Sequence, residues 1–158
     1  MNKFNTADLC DEHKLTIAQP IFKSFGANTH CHGRIKTVEA IDDNSYVKKL
    51  LQTNGGGYVM VIDGKGSNRC ALVGDNLATL AVENNWAGII VNGSIRDSIE
   101  INKIPISIKA LNLVPNKSEK RDIGKYGLDL SFAGITFREN EYIYSDPDGI
   151  VIAKKNLL

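Results

Sequence analysis

Apolar residues change their spacing along this chain, and the changes divide it into elements. Thr6 can cap a short helix running to about His13, and the stretch around Pro20 and Gly26 is irregular. Gly33 to Ile41 reads as a strand, with Ile35, Thr37 and Glu39 alternating against Lys36, Val38 and Ala40. Asp43 or Asn44 then caps a helix in which Tyr46, Val47, Leu50 and Leu51 recur at helical spacing, and Gly55-Gly56-Gly57 ends it. Tyr58 to Ile62 is a continuous apolar run, the pattern of a strand buried on both faces. A glycine-rich turn (Gly64, Gly66) and a second apolar piece from Cys70 to Val73 follow. Asp75 to Asn85 predicts a helix with Leu77, Leu80 and Ala81 on one face. Ala87 to Val91 is the next buried strand, turned by Gly93. Ile104 to Leu113, Asp129 to Phe137, Tyr142 to Tyr144 and Gly149 to Ala153 read as further strands.

Helix and strand alternate in the first half, and the second half is mostly strand. That order predicts a mixed α/β domain, with helices covering one side of a sheet and extra strands packed on another. A length of 158 residues suits one domain with one sizeable core, and no repeat or low-complexity linker divides it. With 42% hydrophobic and 23% charged residues the composition is that of an ordinary globular protein. A formal net charge of +1 offers no field to nucleic acid or to a membrane surface, which weighs against direct RNA binding. Cys10, Cys31 and Cys70 form no Cys-x-x-Cys pair, so neither a zinc ribbon nor a disulfide framework is supported, and reduced, buried thiols are expected. Met1 to Thr6 carries no apolar run of signal-peptide length, and no stretch approaches membrane-spanning length. The expected compartment is the cytoplasm.

Candidate chemistry concentrates in Gly74-Asp75-Asn76-Leu77-Ala78-Thr79 and Gly93-Ser94-Ile95-Arg96-Asp97. A helix from Asp75 through Asn85 advances about 16 Å at roughly 1.5 Å per residue. A strand from Ala87 to Asn92 returns roughly 18–20 Å at about 3.3 Å per residue. If the two pack antiparallel, Asp75 at the helix start and Arg96-Asp97 after the strand share one rim. That rim suits a small 2-oxo acid. The backbone N–H groups near Asn76 and Leu77 are orphan donors at a positive dipole end, suited to a carboxylate. Arg96 offers a fork of donors to a carboxylate or to a keto oxygen becoming an enolate. Asp75 and Asp97 are hard oxygen ligands, and two carboxylates with several waters suit Mg²⁺ or Mn²⁺ rather than zinc. Taken singly, Asp75 is also an ordinary helix cap and Arg96-Asp97 an ordinary surface pair.

Other candidates carry less. His30 and His32 could share a strand face but have no third metal ligand within reach in sequence. Gly64-Lys65-Gly66-Ser67 lacks the spacing of a phosphate-binding loop and reads as a tight turn that could line a pocket. Lys117 to Lys125 is basic but broken by Ser118, Glu119, Asp122 and Gly124, and reads as a solvated loop. Trp86 ends the helix and should pack in the core or at a subunit contact.

Across nearly its whole length the chain resembles the RraA-like family, which includes the 4-hydroxy-4-methyl-2-oxoglutarate aldolases. The likeness runs through Thr6 to Asp11, Gly33 to Val38 and Val61 to Gly64, and on through Gly74-Asp75 to Asp97. It closes with Gly134 to Phe137 and Tyr144 to Ile150. The aldolase signature is Asp, twenty residues, then Arg-Asp, and Asp75, Arg96 and Asp97 fit it. The resemblance implies a single domain over residues 1–158 with a three-layer β/β/α swivelling-type fold. It implies a homotrimer with active sites between subunits. It further implies that Gly74, Asp75, Asn76, Leu77 and Arg96 bind substrate, that Asp75 and Arg96 are catalytic, and that Asp97 holds the divalent ion while Asp75 orients water on it. The implied reaction is cleavage of 4-hydroxy-4-methyl-2-oxoglutarate to two pyruvates, with decarboxylation of oxaloacetate through the same pyruvate enolate.

The family's namesake is instead a protein inhibitor of ribonuclease E that acts by contact and lacks both signature aspartates. This chain keeps both, which implies the enzyme branch, with contact to ribonuclease E as the alternative. The longer bacterial aldolases carry a C-terminal extension that supplies a further acidic group to a neighbouring site. This chain stops at Leu158. A methyltransferase-type role, once assigned to the family, finds no Gly-x-Gly-x-x-Gly stretch to support it.

Overall fold

The computed structural model describes residues 4–158. In chain order the elements are α1 (Thr6–Glu12), β1 (Thr16–Ile17), β2 (Lys23–Phe25), β3 (Cys31–Glu39), α2 (Ser45–Leu51), β4 (Val59–Asp63), β5 (Ala71–Val73) and α3 (Asp75–Glu83). There follow β6 (Gly88–Ile95), α4 (Ser98–Ile101), β7 (Ser107–Leu113), β8 (Lys125–Tyr126), β9 (Leu130–Phe132), β10 (Ile135–Phe137), β11 (Tyr142–Asp146) and β12 (Gly149–Ala153).

The apolar runs explain the centre. Strands β3, β4, β6 and β7 lie side by side and parallel, with Val61 of β4 between Thr37 and Ile90. Every residue of β4 and of β6 is buried, so both faces of this sheet must be covered. Met60, Ile62, Ile89 and Val91 point to one face, where Val47 and Leu51 of α2 and Leu77, Ala78 and Ala81 of α3 pack. Val59, Val61 and Ile90 point to the other, against Leu130, Phe137, Ile143 and Ile152 from the second half of the chain. Helices, parallel strands and the curled antiparallel strands give the mixed α/β, β/β/α layering expected. Trp86 is buried in the helical layer, its indole N–H donating to the Thr53 carbonyl at 3.2 Å.

Several expectations are corrected. The helix cap before α1 is Asn5, and Thr6 lies inside the helix, its hydroxyl donating to Asp146 instead. The predicted strand Asp129 to Phe137 is a hairpin of β9 and β10, reversed at Ala133 and Gly134, both at positive φ. Gly93 does not turn β6. The strand passes through it with an irregularity in its pairing to β7 and continues to Ile95. Of the three free thiols, Cys31 and Cys70 are buried and Cys10 is only partly so. Burial pushes the Cys31 thiol up to about 11, which keeps it protonated and unreactive at neutral pH.

Candidate active site

The continuation of β6 past Gly93 builds the rim. Ser94 pairs with Ala71 of β5, and the Arg96 N–H donates to the Val73 carbonyl at 3.0 Å. Gly74 then opens α3. The Asp75 N–H donates to Asp97 Oδ2 at 3.1 Å, so the two ends of the down-and-back excursion meet. Asp97 itself sits in the left-handed region (φ 63°, ψ 41°) and its carbonyl accepts the Ile101 N–H at 2.8 Å to start α4. Asp and Asn tolerate that conformation better than most residues, and such backbone states cluster at functional sites.

The structure thus brings together all the sequence-selected residues. Gly74 leaves space for the aspartate: a Cβ there would lie 2.6 Å from Asp97 Oδ2. The Asn76 N–H donates to Asp75 Oδ1 at 2.8 Å. Carboxylates therefore already occupy two of the helix's first donors, and Leu77 is the next N–H along, its side chain buried in the core. Arg96 is held by its Nη1, which donates to the Pro115 carbonyl at 3.4 Å, and its Nε lies 3.9 Å from Asp97 Oδ2. Both side chains remain more than a third exposed, and they line a cleft of about 570 Å³, within the size range of small-molecule sites.

Among the described residues no group of three His, Cys, Asp or Glu side chains could hold a metal. A hard cation that keeps several waters needs only one or two carboxylates, and Asp97 Oδ1 and Asp75 Oδ2 make no hydrogen bond within the site. The residues fit Mg²⁺ or Mn²⁺ and do not fit zinc, which takes three or four N, S or O ligands. His30 and His32 face other partners. Both rings meet the edge of Phe4, and His32 stacks on Tyr144. Gly64 to Ser67 forms the expected turn, closed by the Ser67 N–H on the Gly64 carbonyl at 3.1 Å, and it does not line the cleft.

Part of the cleft's lining was missed by sequence reasoning. Lys48 of α2 and Lys117, Ser118 and Lys120 of the loop after β7 line the same cleft. Lys117 and Lys120 are exposed, but their loop is anchored rather than loose. The Ala71 N–H donates to the Asn116 carbonyl at 2.9 Å, and Ser118 Oγ donates to Asn44 Oδ1 at 2.7 Å. Fully buried Asp43 accepts the N–H groups of Ser45, Arg121 and Ile123 and the Ser45 hydroxyl. Burial alone would push the Asp43 carboxyl up, but these hydrogen bonds, led by the Ser45 hydroxyl, outweigh it and lower it to about 2. The basic run at Lys117–Lys120 was the available signal, and its interspersed polar residues concealed the anchoring.

A family model described as RraA-like, Aldolase/RraA, matches residues 6–152. A protein of Alkalilimnicola ehrlichii is 46% identical over 97% of this chain and 96% of its own length, and one of Bacillus cereus is 47% identical over 98% of each. Both carry the name "Putative 4-hydroxy-4-methyl-2-oxoglutarate aldolase". A Geobacillus kaustophilus structure, described as an S-adenosylmethionine:2-dimethylmenaquinone methyltransferase, superposes with a TM-score of 0.95 at 42% identity, covering 98% of this chain and 97% of that one. A Thermus structure, described as the RNA-processing inhibitor RraA, superposes with a TM-score of 0.95 at 35% identity, covering 99% and 96%.

Proposed function

This chain belongs to the RraA-like family of aldolases and RraA proteins, and from that premise we propose that it is a divalent-metal-dependent aldolase. In this reading it cleaves 4-hydroxy-4-methyl-2-oxoglutarate to two pyruvates and decarboxylates oxaloacetate through a shared pyruvate enolate. The observation that carries the reading is the meeting of Asp75, Arg96 and Asp97 at the start of α3 on one open cleft.

Asp97 would hold Mg²⁺ or Mn²⁺, with Asp75 orienting water beside it, and the ion when bound would withdraw electron density from the keto oxygen. The chain's own groups do the rest. The Leu77 N–H and the Arg96 fork receive the C1 carboxylate and the C2 keto oxygen. A water hydrogen-bonded to Asp75 Oδ2 takes the C4 hydroxyl proton and relays it to that carboxylate, which holds it until the enolate is protonated. The C3–C4 bond then breaks, its electron pair moving into the enolate whose oxygen Arg96 stabilises. Protonation of the enolate at C3 gives one pyruvate, and the former C4 hydroxyl carbon becomes the keto carbon of the other. With oxaloacetate the same enolate arises by loss of CO₂. The working form in this reading is a cytoplasmic homotrimer.

The test is pyruvate release from both acids with Mg²⁺ or with EDTA. Arg96→Ala should lower turnover on the order of 10²-fold or more, the usual cost of a lost transition-state donor. Asp97→Ala should abolish the difference between Mg²⁺ and EDTA. Turnover of wild type no faster than metal alone would overturn the enzyme reading. The likeness to the Thermus inhibitor favours a second reading, contact inhibition of ribonuclease E, in which Asp97→Ala binds the ribonuclease as well as wild type does.

A further inference from the structure

The cleft is much larger than a pyruvate unit needs, and several of its lining side chains are cationic. Lys48, Lys117 and Lys120 join Arg96 around it, against Asp75, Glu83 and Asp97. The lysine ion pairs of the described residues engage Lys36, Lys49, Lys65 and Lys103, and none engages the three that line the cleft. Two of these three also stand on a fixed backbone. Lys117 bridges to Ala71 of β5 and precedes the buried Ser118, while Lys120 precedes Arg121, whose N–H is tied to Asp43 at 2.8 Å. Holding a loop by buried hydrogen bonds lowers the ordering cost of any ligand its side chains contact.

We propose that Lys117 and Lys120, which line the same cleft as Arg96, form a subsite for the distal carboxylate of a 2-oxo dicarboxylate, the carboxylate that Arg96 does not receive. The inference rests on the aldolase reading and deepens it. It also separates the two reactions. In 4-hydroxy-4-methyl-2-oxoglutarate the C5 carboxylate keeps its charge throughout, so a lysine contact serves ground and transition states alike and is seen in KM. In oxaloacetate the distal carboxylate is the group that departs as neutral CO₂. A lysine gripping it stabilises the ground state more than the transition state, and removing the grip does not lower kcat.

The experiment uses the full-length protein with Mg²⁺ and the double variant Lys117→Met/Lys120→Met, with each single variant and a folding check by circular dichroism. The non-reacting probe 2-oxoglutarate has its carboxylates at the same spacing, and 2-oxopentanoate lacks the distal one. Wild type should bind 2-oxoglutarate at least about 10-fold more tightly than 2-oxopentanoate, the scale of one charge-assisted contact. The double variant should lose that preference while binding 2-oxopentanoate unchanged. In turnover, KM for the hydroxy acid should rise about 10-fold, with kcat for oxaloacetate equal to or above wild type. No preference in wild type, or an equal loss on both probes, overturns the subsite. A wild-type binding preference without turnover on either acid would instead overturn the aldolase reading and leave the subsite standing.

Discussion

Two aspartates, each just before a helix, show opposite uses of the same functional group. Asp43 is fully buried, and its two oxygens accept four hydrogen bonds that tie α2 to the loop at residues 118–123. Asp97 is more than a third exposed, and among the described residues its carboxylate accepts only the Asp75 N–H. The first carboxylate spends its acceptor capacity on the fold, and the second leaves most of it open to the cleft. The difference teaches that buried and open carboxylates near one cleft answer to different measurements: stability for the first and, on the proposed function, turnover for the second.

The sharpest way to break the contrast is Asp43→Ala. It leaves the N–H groups of Ser45, Arg121 and Ile123 without their acceptor, at a cost of about 3–5 kcal/mol in urea unfolding. A cost below about 1 kcal/mol would show that water replaces the carboxylate and that the loop is not anchored through it. A smaller effect comes from pH. Because the folded carboxyl is lowered to about 2, its stabilisation is present above the ordinary carboxylate value near 4 and is lost as pH falls towards 2. Wild type should therefore lose roughly 1–2 kcal/mol more than Asp43→Asn across that window. Parallel curves for the two proteins would contradict the assignment. The smallest structural change probes the open aspartate. In Gly74→Ala the new Cβ lies 2.6 Å from Asp97 Oδ2, so the carboxylate must shift. Turnover should fall about 10-fold with stability altered by no more than about 0.5 kcal/mol. A comparable loss in both would mean that Asp97 is as structural as Asp43.

What the sequence made legible follows from how local each cause is. The buried strands β4 and β6 and the helices α2 and α3 announce themselves by apolar spacing. Simple chain lengths brought Asp75 back to Arg96 and Asp97, because a helix and a strand of matched length must return to the same edge. The short strands β1 and β2 are mostly exposed and carry no apolar run to mark them. The β9–β10 hairpin hid because its reversal rests on Ala133 at φ 52°, a conformation rare outside Gly, Asn and Asp. The lysine wall was illegible for a different reason. Its anchor is a side chain 78 residues away from Arg121, and no period or motif encodes a bond between a buried carboxylate and a distant backbone N–H.

The left-handed backbone at Asp97 has a consequence for how this chain can drift. Gly and Asn suit that conformation, and each is one nucleotide change from an aspartate codon, yet both delete the charge. Glu, also one change away, keeps the charge but enters a strained backbone and carries its carboxylate a carbon further out. If the aldolase reading holds, the substitutions that the backbone tolerates best at this position are thus the ones that silence the site. In that reading a lineage can pass from catalyst to inert scaffold by a single substitution that the backbone accepts without strain.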